Sequence, residues 1–418
     1  MLLNKVSIRI ALAYVGVIVG AGLSSGQDIL QYFLSFGKTG MIGIVFLGII
    51  NILFGRIIVT LGCYYQSDNH QDVLMQITNP LITRIIDFSL ILSNFIIGFV
   101  MIAGAGANLK QQLGIPSWVG ALICSILIIL VSYLDFDKIT GVLGIFTPIL
   151  VVMIFVIAAF TFWGKSYDFT VLDVTARTIK SSMSNIVFSV INYYALCAMT
   201  GVSMAFVLGG SVVRIGVAEK GGTIGGVIIG IIIGTVATTL FAKIDVVKDA
   251  EIPMLVLANH VHPIFAYLYT FTIFALIFNT AFSLNYALAK RLAGSNSENP
   301  KRRTRILLTG ITIASFALSF LGFRRLISMM YPILGYIGVI LLVVLVIAWL
   351  REKENIREEK FIRRRMIKLY KRKTDENLEY TQKDQKEFNK LGEESSVDTK
   401  EIKETVKEFV DKNSETNN

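Results

Sequence analysis

From about residue 6 to residue 350 the chain alternates long apolar runs with short polar joints. A helix needs about 20 apolar residues to cross the hydrocarbon core of a bilayer, and each run is close to that length. Ten spans are predicted, at about 6–36, 40–66, 82–112, 116–134, 139–163, 183–209, 218–242, 262–292, 305–323 and 326–350. The pattern stops at Arg351, and the rest, to Asn418, is almost entirely polar or charged. The reading is an all-α polytopic membrane protein with a ten-span domain over 1–350. A charged tail follows over 351–418; beyond Asp375 it is mixed in charge and poor in aromatics, which predicts partial disorder or a loose solvent-exposed helix.

The first span carries a flaw at its centre: Gly20-Ala21-Gly22-Leu23-Ser24-Ser25-Gly26-Gln27-Asp28. Apolar residues resume after it as far as Phe36, which argues against a cleaved signal peptide. The run Ile8 to Val19 makes roughly 18 Å of helix, so the break falls near the bilayer midplane. Backbone groups freed there cannot stay unsatisfied in hydrocarbon, and the usual reason to tolerate them is that they bind something. N–H groups opening the second half-helix near Ser24–Gln27 attract an anion. Carbonyls closing the first half, near Gly20 and Leu23, attract a cation. The alternative is close packing, since Gly16 and Gly20 also form a helix-contact motif.

Dividing the spans after the fifth gives repeats at about 6–163 and 183–350. An odd number per repeat inverts the second relative to the first. Span 6 is then the counterpart of span 1, and its polar centre, Asn192-Tyr193-Tyr194 through Thr200-Gly201, predicts a second, weaker break. In span 8, Thr280 and Ser283 share one helical face and offer hydroxyl oxygens to a small cation, or else bond back to their own helix. Asp28 and Arg56 are ionisable residues inside spans. Asp28 is a candidate proton-coupling group and Arg56 a structural one. Gly222, Gly226, Gly230 and Gly234 make a bare face for close helix contact, and Pro148 and Pro332 predict kinks. The interruptions at about 164–182 and 243–261 are long. The second reads either as a helical hairpin over one mouth or as a solvated loop.

Of the 418 residues 54% are hydrophobic and 17% charged, which excludes a soluble domain. The net charge of +10 does not point to nucleic acid. Much of the excess lies in Lys290–Arg305 and Arg351–Lys373, which adjoin spans, where basic clusters set topology and touch anionic lipid. Their side predicts cytoplasmic N- and C-termini. Cys63, Cys124 and Cys197 lie in apolar runs and imply packing, not disulfides or metal. Gly37-Lys38-Thr39 lacks the spacing of a phosphate loop, and His260 and His262 lack further metal ligands. No nucleophile–base set, catalytic carboxylate pair or dinucleotide fingerprint is present, so no enzyme is predicted.

Ten spans in two inverted fives, with a broken span 1 and a polar span 6, resemble the LeuT-type fold of the amino acid–polyamine–organocation superfamily. Ala13-Tyr14-Val15-Gly16, Gly20-Ala21-Gly22 and Ser25-Gly26-Gln27-Asp28-Ile29 resemble, more closely, the YkvI-type bacterial membrane proteins. The resemblance implies a multi-pass protein of the bacterial cytoplasmic (inner) membrane. It also implies an ion-coupled secondary transporter moving a small amphoteric or anionic solute, such as an amino acid, by alternating access. The implied solute contacts are Gly20, Gly22, Ser24, Ser25, Gly26 and Gln27, with Asn192, Tyr193 and Tyr194. A sodium site would draw on Gly20, Leu23, Thr280 and Ser283, and a proton site on Asp28. Sodium-coupled members carry adjacent hydroxyls on span 8, whereas here Ala281 follows Thr280 and Leu284 follows Ser283. No cofactor beyond Na+ or H+ is implied. A ligand sensor or scaffold on the same fold, without net transport, is the rival reading.

Overall fold

The computed structural model describes residues 5–19, 21–66, 70–134, 141, 143–294, 299–375 and 378–415. The first span is assembled from three pieces, α1 (Lys5–Ile18), α2 (Ala21–Ser25) and α3 (Gln27–Tyr32), followed by a 3₁₀ turn at Leu34–Phe36. The chain then crosses back as α4 (Lys38–Tyr65). After a short α5 (His70–Ile77) come α6 (Pro80–Leu113), α7 (Ser117–Val131) and α8 (Phe146–Phe162). The connection α9 (Phe169–Ala176) leads to α10 (Ile186–Gly210) and α11 (Ile215–Ala242). The short helices α12 (Ile244–Val247) and α13 (Pro253–Val261) precede α14 (Pro263–Ala293), α15 (Pro300–Ser319) and α16 (Phe323–Thr374). Helices α17 (Gln382–Glu394) and α18 (Thr399–Glu415) complete the tail.

Six helices, α4, α6, α10, α11, α14 and α16, are long and apolar enough to cross a membrane by length and composition. With the composite first span and the shorter α7, α8 and α15, they follow the predicted order of ten. The most extensive packing joins α4 to α11, and α6 also packs closely on α14. These are the second span with the seventh and the third with the eighth, the pairing expected of two five-span repeats. One body comprises α1, α4, α10 and α11; another comprises α6, α7, α14 and α15; α16 touches both. Close approach within the first body depends on glycine. A Cβ on Gly222 would stand 2.2 Å from the Gly55 carbonyl oxygen, and one on Gly226 would stand 2.4 Å from that of Asn51. The glycine face ends at Gly230, for Gly234 meets nothing within 4 Å.

Three expectations are corrected. Span 6 is not broken: α10 runs uninterrupted from Ile186 to Gly210. Its polar centre is satisfied sideways, since Asn192 donates to the Pro332 carbonyl at 2.9 Å and accepts from the Tyr32 hydroxyl at 3.2 Å. Pro148 sits in the first turn of α8, where a missing N–H costs nothing.

The tail, thirdly, is ordered helix. Span 10 continues without a joint to Thr374, and Met366, Leu369, Phe388, Leu391, Ile402, Val406 and Val410 bury one another around Val213 of the α10–α11 connection. Part of its basic segment is engaged within the protein, while Arg364, Lys368 and Lys371 stay exposed. Arg363 is buried, Arg365 pairs with Glu387 at 2.6 Å, and Arg372 pairs with Asp384 at 3.0 Å. Thr381 and Asp384 form a reciprocal cap at the start of α17. The Thr381 backbone holds the Asp384 carboxyl below the usual carboxylate range, and the Arg365 guanidinium does the same for Glu387. Folded-state values below the unfolded ones stabilise the tail above the ordinary carboxylate pKa of about 4, and that contribution is lost as pH falls through the depressed values. Hydrogen-exchange protection factors in α17 are therefore expected to hold between pH 6 and pH 8 and to fall below about pH 4. Constant protection through the acid range would refute this.

Candidate functional site

The first span breaks where three small residues and two serines deny the helix continuity, and Gly26 carries the sharpest turn. Its φ of 75° is left-handed, a conformation glycine enters without a Cβ penalty. A side chain there would also meet Leu240 of α11 and Met254 of α13, each at 2.9 Å. Helix α13 thus lies over the break as a plug, with Met254 and Leu255 buried. It is pinned to the end of α6 by Gln111, which donates to the Ile252 carbonyl and accepts from its N–H, both at 2.8 Å. The hairpin reading of 243–261 describes this arrangement.

The freed backbone groups are met by the chain's own side chains. Ser25 Oγ donates to the Gly22 carbonyl at 2.9 Å and accepts from the Gln27 N–H at 3.1 Å. Asp28 Oδ1 accepts from the Ile29 N–H at 3.0 Å. The Tyr269 hydroxyl of α14 donates to the Ser24 carbonyl at 2.9 Å. The bare dipoles expected at the break are therefore capped in this state. Leu23 and Ser24 are buried, and Gly20 lies outside the described residues.

Two side chains stand out at the turn. Gln27 is wholly buried, and neither end of its amide has a partner. The Asp28 carboxylate folds back over Gly22, so that a Cβ there would stand 3.3 Å from Oδ2. That oxygen accepts from the Tyr193 hydroxyl at 2.6 Å. The Tyr193 ring packs against those of Tyr32 and Phe33, with centroids 5.3 and 5.4 Å away. No basic side chain pairs with Asp28 among the described residues. A buried ionised carboxylate is costly without a countercharge, so this group holds a proton or awaits a cation.

The remaining sequence candidates are distributed unevenly. Asn192 joins the cluster through Tyr32, but Tyr194 turns away, its ring 5.1 Å from that of Phe54 on α4. Thr280 donates to the Leu276 carbonyl of its own helix at 2.9 Å, and Ser283 is half-buried. Helix α14 does touch α2, through Tyr269 rather than through these hydroxyls. Sequence reasoning missed Tyr32, Gln31 and Tyr269. Tyr32 lies four residues beyond Asp28 on one helical face, a signal that was available. Gln31 donates to the Arg324 carbonyl at 3.3 Å and accepts from Ser182 at 2.9 Å, sealing the break on the side of α9 and α13. His262 caps the first turn of α14, and His260 bonds the Val256 carbonyl.

No family model matches the chain. It is 27% identical over 334 residues to the uncharacterized membrane protein YkvI of Bacillus subtilis, covering 79% of this chain and 92% of that one. It is 26% identical over 347 residues to the uncharacterized protein YyaD of the same organism, covering 83% and 98%. In fold it is similar to MhsT, solved in complex with L-phenylalanine, at a TM-score of 0.54 and 13% identity over 96% of this chain and 97% of that one. This multi-pass membrane protein is similar in sequence to YkvI and YyaD and has the LeuT-type fold.

Proposed function

We infer that the chain is a secondary transporter coupled to a cation, moving a small amphoteric solute such as an amino acid through the break in the first span. The observation that carries this is the buried Asp28 carboxylate, without a cationic partner, set against Tyr193 and the unpartnered Gln27 amide. When ionised, the Asp28 carboxylate repels a purely anionic solute and welcomes an ammonium, a proton or Na+. The MhsT complex with L-phenylalanine supports a solute of amino acid size on this fold. Gln27 would meet a polar group of the solute. The Thr280 hydroxyl donates to the Leu276 carbonyl and keeps its lone pairs for a cation, so Thr280 and Ser283 stand beside Asp28 as coupling candidates. The basic joints support a tail on the cytoplasmic side of a bacterial membrane. Sealed by Gln31 and α13 on the opposite side, the break is then closed to the exterior in this state.

The test uses full-length protein in liposomes, with labelled amino acids and either a proton or a sodium gradient imposed. Wild-type protein should accumulate solute against its gradient. Asp28→Asn should abolish that accumulation while solute exchange across the membrane continues. Driven uptake unchanged in Asp28→Asn would remove the coupling role. Saturable binding without flux in the wild type would favour the sensor reading instead.

A further inference from the structure

Arg56 of α4, Lys220 of α11 and Lys360 of α16 converge on a cleft of about 370 Å³, lined also by Glu219, Thr223 and Ile224. Arg56 and Lys360 both pair with Glu219, the latter at 2.6 Å, while Lys220 has no acidic partner among the described residues. Three cations against one carboxylate leave a surplus of two positive charges. The Arg56 guanidinium also lies over the Trp349 ring, 5.6 Å from its centroid. Tryptophan favours the level where headgroups meet hydrocarbon.

The surface on the membrane side of this cleft is apolar and continuous with it. On α4 the face of Arg56 continues through exposed Leu53 and Ile49, at helical spacings of three and four. On α11 the face of Lys220 and Ile224 continues through exposed Val227 and Ile231. Glycine contacts bring the two helices together, with a Cβ on Gly230 only 3.2 Å from Gly48 Cα. A shallow trough therefore runs from the charged cleft into the bilayer between two apolar stripes.

We propose that this cleft binds the phosphate of an anionic glycerophospholipid, whose acyl chain lies in the trough between α4 and α11. A soluble phosphate would use the cations but not the stripes. A zwitterionic lipid would bring its ammonium toward the three cations. The occupant that matches both surfaces is an anionic lipid, and the proposal stands apart from the transport reading.

The experiment titrates the full chain, purified in detergent, with dioleoyl phosphatidylglycerol, dioleoyl phosphatidylcholine, inorganic phosphate and glycerol 3-phosphate. Bound lipid is read by native mass spectrometry. Phosphatidylglycerol should bind in preference to phosphatidylcholine and resist competition by the two soluble phosphates. Lys220→Gln should weaken it about fivefold, and adding Lys360→Gln should weaken it about fivefold again. Glu219→Gln, which removes the competing carboxylate, should tighten it. Equal binding of phosphatidylcholine, displacement by soluble phosphate at matched concentration, or an unchanged affinity in Lys220→Gln would each overturn the proposal. Lys220 is exposed and unpaired, so its substitution leaves folding intact.

Discussion

Arg363→Ala is expected to undock the tail and cost about 3–5 kcal/mol, the range for stripping one partner from a buried ion pair. Arg363 and Glu359 are 1% and 2% exposed, with Nε and Oε1 2.6 Å apart. The guanidinium also donates to the Cys63 and Tyr64 carbonyls, at 2.8 and 2.7 Å, at the end of α4. These belong to the last turn of a helix, where carbonyls lack intrahelical partners. Glu359 in turn accepts from Ser395 Oγ at 2.7 Å and from the Ser396 N–H at 2.9 Å, tying the α17–α18 connection to the same point. Truncating Arg363 therefore leaves the buried Glu359 carboxylate without its countercharge and removes the guanidinium donor from the Tyr64 carbonyl, while the Cys63 carbonyl keeps Gln66 at 3.1 Å. Hydrogen exchange should show α17 and α18 losing protection while α6 and α14 keep theirs. An Arg363→Met/Glu359→Leu pair, which removes both charges but not the need of the Tyr64 carbonyl and Ser396 N–H for partners, should recover part of the loss. Wild-type protection in Arg363→Ala would contradict this account of the docking.

The second large effect is expected at the glycine seam. Gly222→Ala and Gly226→Ala each force a methyl against a backbone carbonyl of α4, at 2.2 and 2.4 Å, and a helical carbonyl cannot rotate out of the way. Each should destabilise the fold by about 1–3 kcal/mol, lowering the melting temperature in detergent. Gly234→Ala is the internal control. Nothing lies within 4 Å of its Cβ, so helix propensity alone should operate and stability should rise by up to about 1 kcal/mol. Equal melting temperatures for all three variants would show that the seam does not depend on close contact.

The membrane order of the fold was legible because hydrocarbon enforces it: apolar length and basic joints leave few alternatives. The break was legible because three glycines and two serines are locally incompatible with a continuous span. Span 6 misled for the opposite reason. Asn192 looks like a break when read locally, and only its distant partners, Tyr32 and Pro332, show that a straight helix accommodates it. The tail was misread through composition. Ile402, Val406 and Val410 recur every four residues, which is helical spacing, and all three are buried. At the candidate site, Asp28 and Gln27 could be named from position alone. Tyr269 could not, because its link to Ser24 spans 245 residues of sequence.

Helix α16 runs from Phe323 to Thr374, 52 residues with Pro332 inside its membrane part, or ~78 Å of helix against a hydrocarbon layer of ~30 Å. A tilt of ~5° within the lipid swings its far tip by ~4 Å. The tail is in this sense the needle of a gauge, and a dye attached there would report rearrangements in the bilayer from outside it.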